Sequence, residues 1–115
     1  MRLYLYDGTF DGLLTAYFYA YKDQDIYDIS RQDSYQVDLL SQPRSIATEV
    51  YKAARIYRSV CQKLSADTMR NLYLLYLSEL PHCDLLGLRY LRLCFANGTQ
   101  INRAKQHPII RQVED

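Results

Sequence analysis

The side chains of this sequence most able to do chemistry are its arginines and lysines. Lys52, Arg55 and Arg58 recur at every third residue, Arg89 and Arg92 repeat that spacing, and Arg103, Lys105 and Arg111 follow. On a helix, three-residue spacing brings side chains to neighbouring positions of one face. Guanidinium forks match phosphate oxygens, and interleaved tyrosines offer rings on which bases stack. That pattern makes Lys52, Arg55, Arg58, Arg89, Arg92, Arg103 and Lys105 the candidate nucleic-acid contacts. The competing reading is that they form the solvated faces of amphipathic helices, since Glu49, Asp67 and Glu79 lie close by in the sequence.

A second constellation is the turn Asp7-Gly8-Thr9 ahead of an apolar periodic stretch. A helix starting there would present free N–H groups to an anion. One glycine does not make a phosphate loop, however, and neither Gly-x-x-x-x-Gly-Lys nor Gly-x-Gly-x-x-Gly occurs. Asp7 and Thr9 therefore read first as turn and cap residues. Asp7 and Asp11 could face one another across this turn, but acidic residues are common at helix starts for dipole reasons alone. His82-Cys83, His107, Cys61 and Cys94 lack metal-ligand spacing, so no metal is expected, and no cofactor. Cys61 and Cys94 fall on apolar stripes, where a thiol is usually inert. No catalytic residue emerges.

The elements that must position these groups follow from periodicity. Leu3-Tyr4-Leu5-Tyr6 alternates as a strand does, and Thr9 caps a helix carrying Phe10, Leu13, Leu14, Tyr17, Phe18 and Tyr21 on one stripe to about Lys22. Residues 23–42 read as an acidic connection with room for one helical turn, tacked to the core by Ile26 and Ile29. Arg44–Ala47 reads as a second short strand, with Thr48 as the next cap; whether the strands run parallel is open from sequence. Val50, Ala53, Ala54, Tyr57, Val60, Cys61 and Leu64 predict a helix over about 49–64. Ser65 caps a third helix to about residue 80, apolar on more than one side and so expected at the centre, and Pro81 ends it. A fourth, about 83–96, carries Leu85, Leu88, Leu91 and Phe95 and stops at Asn97-Gly98. Pro108 is placed to start a last short helix through Val113. The expected fold is α+β, a mostly helical single domain over residues 1–115, with four to five helices and a small sheet of two or three short strands.

Composition agrees with that scale. The chain has 115 residues, 49% of them hydrophobic and 23% charged, with a net charge of +1. Disordered and collagen-like classes are thereby excluded. No run approaches the ~18 apolar residues of a membrane span, and Met1–Asp7 is too short and polar for a secretory signal. Three cysteines make an odd, sparse set, which favours a reducing, cytoplasmic setting. Charge is uneven: residues 1–40 hold three basic and seven acidic side chains, residues 41–115 eleven and six. Tyrosine is abundant at twelve, and tryptophan absent.

Several segments carry a resemblance. Leu3-Tyr-Leu-Tyr-Asp-Gly-Thr-Phe-Asp-Gly-Leu-Leu14, Leu77-Ser-Glu-Leu-Pro81, Arg89-Tyr-Leu-Arg-Leu-Cys-Phe95 and His107-Pro-Ile-Ile-Arg111 are similar, in order and spacing, to the bacterial "probable DNA metabolism protein" family. Its domain of unknown function also occurs fused in front of uracil-DNA-glycosylase-like domains. The chain resembles the N-terminal half of a longer member, and departs from the pattern at Cys94, where a glycine is expected. The resemblance implies a non-catalytic accessory domain of a DNA metabolism or repair system. Its implied partners are DNA and either a radical S-adenosylmethionine protein or a glycosylase-like domain. Apolar residues around the third helix leave two further options: docking such an enzyme as an adaptor, or a homodimer.

Overall fold

The Leu-Tyr alternation at the N-terminus forms β1 (Arg2–Tyr6), which is buried from Leu3 to Tyr6. In the computed structural model, which describes residues 2–34 and 42–97, β1 is the middle strand of three. The chain divides into two compact units, Met1–Ile56 and Tyr57–Asp115. Among the described residues, four helices and this small sheet make an α+β, mostly helical chain, as the sequence predicts. None of these helices is long and apolar enough to cross a membrane.

In the first unit β1 leads through the turn at Gly8 (φ 89°) into α1 (Phe10–Ala20). Thr9 is the N-cap, its hydroxyl oxygen accepting the Gly12 N–H at 2.9 Å. Leu13, Leu14 and Tyr17 are buried as the stripe requires. The chain then returns as β2 (Ile26–Arg31), parallel to β1, with a 3-10 turn over Gln32–Ser34. Here the reading of residues 23–42 as a connection is corrected. Tyr27, Asp28 and Ser30 break the apolar pattern, and only Ile29 is buried, because β2 is an edge strand that sets a single side chain firmly in the core. β3 (Gln42–Ser45) lies two residues ahead of the expected strand and pairs with the other side of β1, also parallel. The ladder runs on to Ile46, whose N–H donates to the Leu5 carbonyl at 2.7 Å. Parallel pairing of β1 and β2 requires a crossover, and α1 supplies it.

α2 (Val50–Lys63) falls within one residue of its predicted ends. Its predicted buried stripe is only partly so: Ala53 and Val60 are buried, whereas Val50 is 69% and Tyr57 50% exposed. Thr48 was expected to cap this helix, but its hydroxyl donates to Asp7 Oδ2 at 2.6 Å. The Glu49 N–H is met instead by the buried Thr15 hydroxyl at 3.2 Å.

In the second unit α3 (Ala66–Ser78) starts at Ser65, whose hydroxyl accepts the Thr68 N–H at 3.1 Å. Asp67 lies in its first turn, favourable to the helix dipole. α3 ends two residues earlier than expected, in a left-handed Glu79 (φ 54°). The following α4 (Cys83–Asn97) buries Leu85, Leu88 and Leu91. The two helices are tied by the Asn71 amide donating to the Tyr90 hydroxyl at 2.9 Å. The expectation of a central α3 is overturned. Met69, Leu72 and Leu75 are buried, but Tyr73, Leu74, Leu77 and the succeeding Leu80 are exposed. Its second apolar side faces outward. The predicted cap at Gly98 and the helix from Pro108 lie outside the described residues.

Candidate functional site

Three basic side chains of the first unit rest on aromatic rings. Tyr4 of β1 and Arg44 of β3 are register partners, so their side chains leave the sheet on the same face. The Arg44 guanidinium sits 5.5 Å from the centre of the Tyr4 ring and 5.0 Å from that of Tyr19 on α1. Tyr19 meets Phe18 edge-on at 5.5 Å. Lys52 of α2 lies 4.4 Å from the Tyr19 ring centre and 5.3 Å from that of Phe18, and Arg55, one turn on, lies 5.8 Å from Phe18. Cations over ring faces at such distances are held by the ring quadrupole.

Carboxylates fix the two ends of this row. The Tyr19 hydroxyl donates to Glu49 Oε2 and accepts from the Lys52 ammonium, and Lys52 also pairs with Glu49 at 3.2 Å. These bonds, Tyr19's first, hold Glu49 below the ordinary carboxylate range and keep Lys52 charged above the usual lysine range. At the other end the Tyr4 hydroxyl donates to Asp23 Oδ2 at 2.7 Å, and Arg2 pairs with Oδ1 at 3.0 Å. The Tyr4 bond, then the Asp25 N–H and Arg2, bring the Asp23 carboxyl down to about 2. Burial and the bond to Asp23 push the Tyr4 phenol up.

The chemistry open to this arrangement differs between its members. Lys52 is half-buried and committed to Tyr19 and Glu49, so it orders the cluster rather than reaching outward. Arg44 and Arg55 are exposed and lie over rings, Arg44 also donating from one guanidinium nitrogen to the Tyr4 hydroxyl at 3.5 Å. Flat, cationic and aromatic is the surface that a sugar–phosphate backbone with unstacked bases would accept. Arg44 was not among the residues singled out from sequence. Its role depends on pairing with Tyr4, which lies far away along the chain, and no local pattern encodes that.

The remaining sequence candidates are dispersed. Arg58 and Arg89 are exposed and Arg92 is half-buried; Arg103, Lys105 and Arg111 lie outside the described residues. The Asp7-Gly8-Thr9 turn is a closed knot. Asp7 Oδ1 accepts the Thr9 N–H and hydroxyl at 2.9 and 2.6 Å, while Thr48 takes Oδ2. The Thr48 and Thr9 hydroxyls hold Asp7 below its ordinary value. With both oxygens engaged, Asp7 serves as a turn residue. Among the described residues no group of three or more His, Cys, Asp or Glu is placed to hold a metal. No family model, curated protein or solved structure matches the chain.

Proposed function

We propose that this chain is a cytoplasmic, non-catalytic accessory module of a bacterial DNA metabolism or repair system, and that it holds nucleic acid against the aromatic face of its first unit. Arg44 and Arg55, exposed over Tyr4, Tyr19 and Phe18, carry the reading. They would neutralise phosphates while the half-buried Phe18 and Tyr19 offer apolar surface to the bases, and Lys52 and Glu49 would keep Tyr19 in place. The resemblance to the DNA metabolism family supports the same partner class. Within such a system the module would serve a radical S-adenosylmethionine protein or a glycosylase-like domain.

The test is fluorescence anisotropy of short labelled single- and double-stranded DNA, titrated with the chain at low and moderate salt. Binding is expected to weaken with salt, since each neutralised phosphate releases counterions. The double variant Arg44→Ala/Arg55→Ala should lose affinity across all sequences alike and flatten the salt slope. Affinity unchanged in that variant would overturn this face. A second reading, the adaptor, is favoured by one observation of its own: the outward apolar side of α3.

A further inference from the structure

In the second unit the exposed apolar residues of α3 fall into register. Tyr73, Leu74 and Leu77 occupy one face of the helix, and Leu80 continues that line just past its end, with Leu77 52% and Leu80 63% exposed. Leu80 also belongs to the wall of a cleft of about 520 Å³ formed with Leu75, Pro81, Leu85 and Leu86, so stripe and cleft make one continuous surface. Two left-handed residues that are not glycine, Glu79 (φ 54°) and His82 (φ 61°), bracket Leu80-Pro81. Such backbone persists only where its surroundings over-determine it. Here it turns a leucine out to the rim instead of into the core.

Charge says what kind of partner fits. The cleft is lined by His82 and Arg89 and by no carboxylate. At the other end of the stripe Arg70, also exposed, stands one turn before Tyr73 and Leu74. No carboxylate of the described residues forms a salt bridge with Arg70 or Arg89. The exposed carboxylates nearby, Asp67 and Glu79, are not part of the cleft lining, and an apolar line two turns long with a cation at each end is complementary to a helix with apolar anchors at i, i+3/i+4 and i+7 and acidic flanks. We propose that this surface docks an acidic amphipathic helix of a partner protein, whose leading apolar side chain enters the cleft while its carboxylates meet Arg89 and Arg70. The proposal extends the adaptor reading and is independent of DNA contact through Arg44 and Arg55.

The test uses the full chain and a fluorescein-labelled helical peptide of about 18 residues, with leucines at those spacings and glutamates flanking them. A second peptide carries lysine at every glutamate position. The glutamate peptide should bind about tenfold or more tighter than the lysine peptide at low salt, and Leu77→Asp should weaken it about tenfold or more. Arg89→Glu should reverse the preference between the two peptides. Leu77 and Arg89 are both exposed, so both variants should keep the parent circular dichroism, and Leu77→Asp should keep the DNA affinity, which separates this failure from failure of the DNA reading. Equal affinity for both peptides, or affinity indifferent to Leu77→Asp, overturns the proposal. So does a concentration-dependent dimer that Leu77→Asp dissolves in a chain binding neither peptide; the occupant would then be a second copy.

Discussion

Gly12, near the start of α1, shows how one missing methyl group holds a turn together. Alanine in a helix normally gains about 1 kcal/mol over glycine. Here a Cβ would stand 2.2 Å from Asp7 Oδ1 and 3.0 Å from the hydroxyl oxygens of Thr9 and Thr48. Asp7 cannot swing aside without releasing Thr9, which caps the helix. Gly12→Ala should therefore destabilise by about 1–3 kcal/mol in chemical denaturation. In an Asp7→Ala background the same change should become neutral or stabilising, a coupling that a double-mutant cycle reads directly. Asp23 makes a second prediction. Its folded pKa of about 2 lies below the ordinary 3.8, so its contribution is complete above about pH 4 and is lost as pH falls toward 2. Asp23→Asn should lower stability at neutral pH, and its deficit against the parent should shrink through that window. Tyr4→Phe, which removes the largest stabiliser of that carboxylate, should cost about 1–2 kcal/mol and narrow the same acid limb. The thiols should also differ. Cys94 is buried and its pKa is raised by that burial, and Cys83 is buried too, so half-buried Cys61 should be alkylated first, as peptide mass spectrometry would show.

At the scale of elements, the parts with local signals were legible in the sequence. β1 announces itself by alternation, α1 and α3 by Thr9 and Ser65, and α2 and α4 by periodic apolar positions. β2 was not, because an edge strand with one deeply set residue needs no apolar run. Periodicity also overstated burial. Tyr73 and Leu77 fall where periodicity expects core, yet both are exposed, while Met69, Leu72 and Leu75 form the buried side of α3. For the candidate site the cationic half is partly visible: Lys52 and Arg55 show the helical spacing, whereas Arg44 stands in a short strand without a local signal, and no local pattern brings it over Tyr19. The α3–α4 connection yields a prediction of its own. Glu79 stands in the left-handed position where a helix ordinarily ends in glycine. Glu79→Gly should raise stability by about 1 kcal/mol, seen as a thermal midpoint a few degrees higher. A lower midpoint would mean that Glu79's own contacts outweigh its backbone strain.

On the scale of the whole molecule, the two proposed contacts lie on surfaces of different character. The first unit offers cations laid on rings, and the second offers leucines beside a cleft without carboxylates. Variants of one surface should leave binding at the other intact, which makes the two readings separable in a single protein preparation. The central placement of β1 has a consequence for how the molecule is made. Tyr4 must wait for Ile29 to be synthesised before one edge of its strand is paired, and for Arg44 before the other is. At roughly 5–20 residues per second, that leaves the most apolar strand of the sheet unpaired for seconds on the ribosome. During that interval its open edges are the ones a neighbouring nascent chain could capture. A rare-codon pause that holds Arg44 inside the ribosome after Tyr4 has emerged should lower soluble yield more than the same pause placed at the end of the chain.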